Sequence, residues 1–339
     1  MRHTNRKNAE RYSGRKRVPA VFFLLFSFAI SFSGCGAVSY ELPYAPDGSV
    51  SSFNVIARSK PGLAEPFAQN LCIVTGDVGN GAVDMSRETA AALFDVEGRN
   101  VLYSQNAHER LHPASLTKVM TALVALKHGT GDQVLTATET VKITESGAQL
   151  CGVKAGDTMT LDQALRILLI YSANDVAMMI AENIGGTADR FVQMMNEEAK
   201  ALGATNTSFA NPHGLTAENH YTTVYDLYLI FQEAVRNTYF KEIIQTASYQ
   251  TTYYDSRRTP KELSVKTTNL FLRETYRTPE NITVIGGKTG TTNAAGHCLI
   301  LLSKDTGGES YISVILKSAS RDDLYGEMAD LLNVVDAGN

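Results

Sequence analysis

The β-rich runs of this chain sit at its two ends with a long helical stretch between them, and no other feature restricts the fold as much. Ala91–Asp95 and Val101–Tyr103, separated by Glu97-Gly98, read as two strands joined by a turn. The other β-rich runs, Ile282–Ile285, Cys298–Leu302 and Tyr311–Leu316, come near the other end, the last two separated by a turn containing Gly307-Gly308. Strands this far apart in sequence share a core only if the chain returns to where it began. The pattern therefore predicts one sheet built from both ends, with a helical lobe inserted. A helix is predicted to start near Pro113, because proline suits a first helical turn and Leu116, Val119, Met120, Leu123 and Val124 follow at helical spacing. Leu161–Ile184 is strongly apolar and helical, interrupted around Ser172-Ala173-Asn174. Ala188–Leu202 is amphipathic and stops at Gly203, and a last helix fits Asp322–Val335. No internal repeat is present.

Composition narrows the function classes. Of 339 residues 44% are hydrophobic and 19% charged, an ordinary globular mixture with no tract for a multi-spanning membrane protein. Residues 1–34 hold seven basic side chains against Glu10, a net of +6, which leaves −10 for the rest of a chain whose total is −4. So acidic a remainder argues against nucleic acid as a partner. The same 34 residues have the parts of an export signal peptide: a basic start, an apolar run Val18–Phe32, then small residues. Phe32-Ser33-Gly34-Cys35 resembles a bacterial lipobox, which makes Cys35 the expected lipidation site and the N-terminus the expected membrane attachment. Ala37-Val38-Ser39 would serve ordinary signal cleavage instead, and an uncleaved anchor would place the protein on the same side. Residues 35–87 read as a tether and extra N-terminal segment, its first part (36–66) rich in Pro, Ser, Gly and Ala. Residues 88–337 read as the catalytic domain. Cys72, Cys151 and Cys298 form no CxxC pair and no disulfide framework, and Cys298 sits in an apolar run as a small core residue.

Three short motifs carry chemistry: Ser115-Leu-Thr-Lys118, Ser172-Ala-Asn174 and Lys288-Thr-Gly290. The first two patterns recur at Ser13–Lys16 and Ser52–Asn54, as expected about once each by chance in a chain of this length. Lys288-Thr-Gly290 occurs once, against a chance expectation of about 0.1. Context adds weight: Ser115 opens a helix, Ser172 lies in a helical segment and Lys288 is expected at the end of a strand. A serine hydroxyl attacks poorly until a base takes its proton. At i and i+3 on one helix, Ser115 and Lys118 face the same way. A lysine works as a base only when its ammonium is destabilised by burial, by its helix's positive end, or by a second cation, for which Lys288 is the candidate. Backbone N–H groups at the helix start, that of Ser115 included, point where an oxyanion would form. Gly290 suits a strand that passes close to a nucleophile and its substrate.

With these motifs the chain resembles the serine D-alanyl-D-alanine carboxypeptidases among the penicillin-binding proteins. Leu111–Ala122 resembles that family's nucleophile segment. Asn211-Pro-His-Gly-Leu215, Asn219–Leu227, Thr268-Asn269 and Gly287–Cys298 are similar to its other signatures. The resemblance covers roughly residues 88–335. It implies an α+β, β-lactamase/transpeptidase-like fold: a five-stranded antiparallel sheet flanked by helices, plus an all-helical lobe, with the active site between lobes. It implies removal of the terminal D-Ala from peptidoglycan stem pentapeptides through a Ser115 acyl-enzyme, β-lactams as covalent inhibitors, and no cofactor. Lys118 would be the base, and Ser172 and Asn174 would handle the leaving-group proton and the substrate amide. Lys288 and Thr289 would meet the terminal carboxylate, beside Gly290, and the Thr291 N–H would complete the oxyanion hole. Many members hold that carboxylate with an arginine of the final helix, where this chain places Leu324, with Arg321 three residues earlier. The chain also reaches Asn339 soon after the catalytic domain, without the β-rich C-terminal domain and amphipathic anchor of many relatives; a lipidated Cys35 would replace that anchor.

Other readings compete. His108-Glu-Arg-Leu-His112 is a literal HExxH, and a zinc metallopeptidase is the reading it would support. That motif needs a continuous helix, whereas Gln105-Asn106 precede it and Pro113 follows, so a polar loop is expected. A class A β-lactamase would need a deacylating glutamate segment that is missing between Asn174 and Lys288. A transpeptidase or endopeptidase on the same scaffold, or a non-enzymatic peptidoglycan-binding descendant, differs in the pocket rather than the motifs. His213 and His220 are expected to bond loop backbone near the site, and Tyr171 to line the cleft or join the core.

Overall fold

The computed structural model describes residues 70–337 apart from Asn80 and Ala82. The signal segment, Cys35 and the tether up to residue 69 lie outside the described residues. Both chain ends contribute to one five-stranded sheet, as the spacing of the β-rich runs predicts. Its strands are β1 (Ala90–Asp95), β2 (Asn100–Gln105), β7 (Ile282–Thr292), β8 (Gly296–Asp305) and β9 (Ser310–Ser318), ordered β2-β1-β9-β8-β7. Every neighbouring pair is antiparallel.

The sheet is buried on both faces, which explains why its strands read as continuous apolar runs rather than alternating ones. Ala90, Ala92, Phe94, Cys298, Ile300, Leu302, Ile312 and Val314 face the helical lobe. Leu93, Leu299, Leu301 and Ile315 face the opposite way, against Leu324, Met328, Leu331 and Leu332 of the last helix (Arg321–Ala337). Under the first face runs the helix Val224–Arg236, whose Tyr228 stacks on Phe94 with ring centroids 4.0 Å apart.

The inserted lobe contains the helices Thr117–His128, Leu161–Arg166, Asn174–Gly185, Ala188–Ala201, Val224–Arg236 and Thr238–Ile244. It is not purely helical. Two short strands, β3 (Val134–Thr136) and β4 (Thr158–Thr160), join the hairpin β5 (Ser248–Tyr254) and β6 (Pro260–Lys266) in a second sheet ordered β3-β4-β5-β6. The hairpin is mostly polar and half exposed, so it lacks the apolar runs by which the main sheet announces itself. A second correction concerns Lys288. It lies inside β7 rather than at its end, because a bulge at Val284–Gly286 lets the strand continue through Gly286-Gly287 to Thr292.

Residues 70–79 are packed onto the domain. Val78 bridges Ser104 on the edge strand β2, and Cys72 is fully buried, with Tyr228 and Tyr225 hydroxyls bonded to its backbone. The HExxH stretch belongs to this attachment. It is not helical: Leu111 bridges Thr222, the His108 Nε2–H donates to Val74 O, and the His112 Nδ1–H donates to His220 O. The two rings therefore serve different partners, and the helix that a zinc motif requires is absent from this segment.

Candidate active site

The turn that carries Ser115 is forced into shape by its neighbours. Pro113 precedes a 3-10 turn, Ala114–Leu116, that runs into the helix Thr117–His128. Ala114 takes φ +47°, a left-handed conformation that costs an ordinary residue about 1–2 kcal/mol. Two glycines make room for this turn. A Cβ on Gly214 (φ +92°) would stand 1.9 Å from the Ala114 carbonyl oxygen, and one on Gly290 would stand 2.9 Å from the Ser115 nitrogen. The structure thus supports the close-approach reason for Gly290 and adds Gly214 from the Asn211–Leu215 segment.

One turn further on, Lys118 is fully buried, and its Nζ lies 2.8 Å from Ser115 Oγ, 2.6 Å from Asn174 Oδ1 and 2.6 Å from His213 O. Two of those partners can only accept. A neutral amine spends both N–H bonds on them and turns its lone pair toward the Ser115 hydroxyl. Burial, then the positive charge of Lys288, pushes the Lys118 ammonium well below the usual lysine range, while Asp175 pulls the other way. An ammonium would donate to all three partners, so the distances suit both forms; the electrostatics favour the base form.

Ser172 is delivered by a break in a helix. Leu161–Arg166 widens into a π turn, Ile167–Tyr171, then Ser172 takes φ +72° and a new helix starts at Asn174. The predicted interruption is real, and it aims two side chains of one short motif at the same place. Lys288 Nζ donates to Ser172 Oγ at 2.8 Å and to Thr289 O at 2.7 Å, and burial lowers its pKa to about 7. Thr289 Oγ1 donates to Thr268 Oγ1, and Thr291 Oγ1 lies 3.3 Å from His297 Nδ1.

These elements enclose a cavity of about 450 Å³. Ser115, Ser172, Asn174, Thr289, Gly290 and Thr291 line it, whereas Lys118 and Lys288 stand behind its wall. Leu324 is buried at its edge, and two exposed guanidinium groups, Arg273 and Arg321, also line it. Arg321 begins a helix, the end where a cation is disfavoured by the macrodipole. Tyr171 lies partly buried against the core.

Sequence reasoning missed several parts. The buried Asp175 carboxylate accepts from the backbone N–H groups of Cys151, Gly152 and Val153, pinning a loop whose Gly147, Ala148 and Gln149 line the cavity. An acidic residue inside an apolar helical run was the available signal. His213 acts through its carbonyl, for which no sequence signal exists. Its ring accepts the Leu215 N–H, and burial lowers its pKa to about 3. Arg273 comes from a segment brought to the cleft only by the fold, whereas His297 lies in the Gly287–Cys298 segment already singled out, without a role assigned to it.

Comparison with known proteins shows the family. Residues 81–320 match the family described as D-alanyl-D-alanine carboxypeptidase, peptidase S11. The chain belongs to that family. It is 32% identical over 249 residues to D-alanyl-D-alanine carboxypeptidase DacF of Bacillus subtilis (strain 168), covering 72% of this chain and 61% of that protein. With D-alanyl-D-alanine endopeptidase of Escherichia coli (strain K12) it shares 29% identity over 245 residues, 70% of this chain and 74% of that protein. The Streptomyces K15 DD-transpeptidase superposes with a TM-score of 0.67 at 25% identity, over 78% of this chain and 100% of the transpeptidase. The matches with DacF and with the Escherichia coli carboxypeptidase DacC span 61% and 59% of those proteins. The proteins this chain is similar to carry three named activities: carboxypeptidase, endopeptidase and transpeptidase.

Proposed function

We propose that this protein is a serine D-alanyl-D-alanine carboxypeptidase that releases the terminal D-Ala of peptidoglycan stem pentapeptides through a Ser115 acyl-enzyme. The observation that carries the reading is the fully buried Lys118 amine 2.8 Å from Ser115 Oγ, where burial and the charge of Lys288 disfavour its ammonium. Lys118 takes the proton as Ser115 Oγ attacks the carbonyl of the penultimate D-Ala. The Ser115 and Thr291 N–H groups receive the oxyanion. Ser172 gives its hydroxyl proton to the departing D-Ala nitrogen and takes one from the Lys288 ammonium that donates to it, and the Asn174 Nδ2 group holds the substrate amide. Thr289 and Thr291 meet the terminal carboxylate at the wall of the cleft, with Lys288 acting on it from behind. Leu324 offers no charge, so Arg321 and Arg273 supply the guanidinium that holds the carboxylate. Water then attacks the acyl-enzyme, giving its proton to Lys288 by way of Ser172, while Lys118 returns its proton to the departing Ser115 Oγ. A β-lactam enters the same first step, its ring amide being cleaved without a departing fragment.

The location follows from the substrate and the first 34 residues: the domain works outside the cytoplasmic membrane, tethered by a lipidated Cys35. Metabolic labelling with a fatty-acid probe, lost in Cys35→Ala, tests the tether.

For the activity, intact mass after fluorescent penicillin is compared between the unaltered protein and Ser115→Ala, followed by assay of free D-Ala from a pentapeptide. Labelling confined to the unaltered protein, with D-Ala released, is expected. Equal labelling of both, or none of either, sinks the acyl-enzyme. Transfer of the acyl group to an added amine in preference to water would assign a transpeptidase instead.

A further inference from the structure

The left-handed Ala114 raises a question that the three motifs leave open: what holds its peptide in place. The Ala114 carbonyl and the Ser115 N–H belong to one planar unit and, in a trans peptide, point in opposite directions. Whatever fixes the carbonyl therefore aims the N–H. The Ala114 oxygen accepts from the Thr117 N–H and from Thr117 Oγ1 at 2.8 Å. Thr117 Oγ1 also lies 2.7 Å from His220 Nε2. The threonine's single hydroxyl proton is committed to Ala114, an acceptor only, so Nε2 must carry the other proton. At the far side of the ring, His220 Nδ1 lies 3.0 Å from the Ala210 N–H, a donor only, so Nδ1 must be bare. Both ends demand the same neutral tautomer. Burial favours it as well, taking the His220 pKa down to about 4, and Phe209 packs edge-on against the ring. The result is an uninterrupted directional chain, Ala210 N–H to His220 to Thr117 to the Ala114 carbonyl, in a buried setting where each bond polarises the next.

We infer that His220 is a positioning residue for the oxyanion donor: acting through Thr117, it fixes the plane of the Ala114–Ser115 peptide and so aims the Ser115 N–H into the cleft. The inference rests on the Ser115 acyl-enzyme reading. It gives the histidine of the Asn219–Leu227 segment a part in the acylation step without contact with the substrate.

The test uses four single variants of the full chain and one double: His220→Leu and Thr117→Val, alone and combined, break the relay, and His220→Gln and Thr117→Ser keep its donor or hydroxyl. Two quantities are read: the acylation rate constant at saturating fluorescent penicillin with its half-saturating concentration, and the infrared ester-carbonyl band of the penicilloyl-enzyme. Removing an oxyanion donor outright costs about 10²–10³-fold, so misaiming one should slow acylation by about tenfold or more. In the two breaking variants the half-saturating concentration should stay put and the carbonyl band should move to higher wavenumber. The two conservative variants should restore both readings. His220→Leu combined with Thr117→Val should lose no more than Thr117→Val alone, since both act through one path. A carbonyl band that stays in place in Thr117→Val, or acylation slowed by less than about twofold, overturns the inference. If His220→Leu does not fold, the Thr117 pair decides. Absence of labelling in the unaltered protein overturns the acyl-enzyme reading itself, and this inference with it.

Discussion

Two peptidase motifs stand almost end to end in this chain, and the fold uses them in opposite ways. Ser115–Lys118 converges with groups from three other segments: Asn174 on one helix, His213 in a loop, and Lys288 on β7, whose charge is felt by Lys118. His108–His112 diverges. One ring holds Val74 of the N-terminal strap and the other holds the His220 carbonyl. Both stretches contain residues able to do chemistry, so residue type does not separate them. Partners do. A catalytic group here is one whose neighbours destabilise its resting state, whereas a structural group has its bonds satisfied by nearby backbone.

The sharpest way to break this comparison is to remove the base of each motif. Lys118→Met should slow penicillin acylation by about 10³-fold, within the span that general bases contribute, whereas Glu109→Gln should leave it within about twofold. A zinc-dependent hydrolysis lost in Glu109→Gln and kept in Lys118→Met would reverse the assignment. Lys118→Arg should not rescue, because a guanidinium does not deprotonate in this range.

The next effect has a sign. Acylation needs neutral Lys118, so its rate should rise with pH through the Lys118 pKa. Lys288 lowers that pKa and Asp175 raises it. Lys288→Met should therefore move the acidic limb of the acylation profile to higher pH, and Asp175→Asn should move it to lower pH. Stopped-flow acylation across pH checks both, and limbs that shift together would refute the charge-coupling account.

The smallest effect belongs to the structural motif. His108→Ala loses one bond to Val74 and the edge contact with Tyr225, whose ring centroid lies 5.3 Å away. A cost of about 1 kcal/mol, roughly 2–4 °C in melting temperature, is expected with acylation unchanged. Calorimetry paired with penicillin labelling would show whether the two properties separate.

Legibility followed burial. The main sheet and its flanking helices were readable because long apolar runs leave a periodic or continuous signal. The β5–β6 hairpin was not, because its half-exposed strands are dominated by Tyr, Thr, Ser and Lys, and its register is set by pairing across the turn at Asp255–Thr259. Ser115 and both lysines were readable as candidates because the proposed chemistry restricts residue type. His220 was readable as a loop histidine, but its link to Ala114 runs through a threonine that is 103 residues away in sequence.

By itself the sequence determined a chain whose two ends must meet in one sheet, and it singled out Ser115, Lys118, Ser172 and Lys288 as the candidates for chemistry. Only the tertiary structure decided that both lysines lie behind the cavity wall, that Asp175 pins the facing loop, and that Arg273 and Arg321 line the same cavity as Leu324. The reason is physical. A residue's reactivity is bounded by its own atoms, but its protonation, orientation and access are set by neighbours that folding alone brings near.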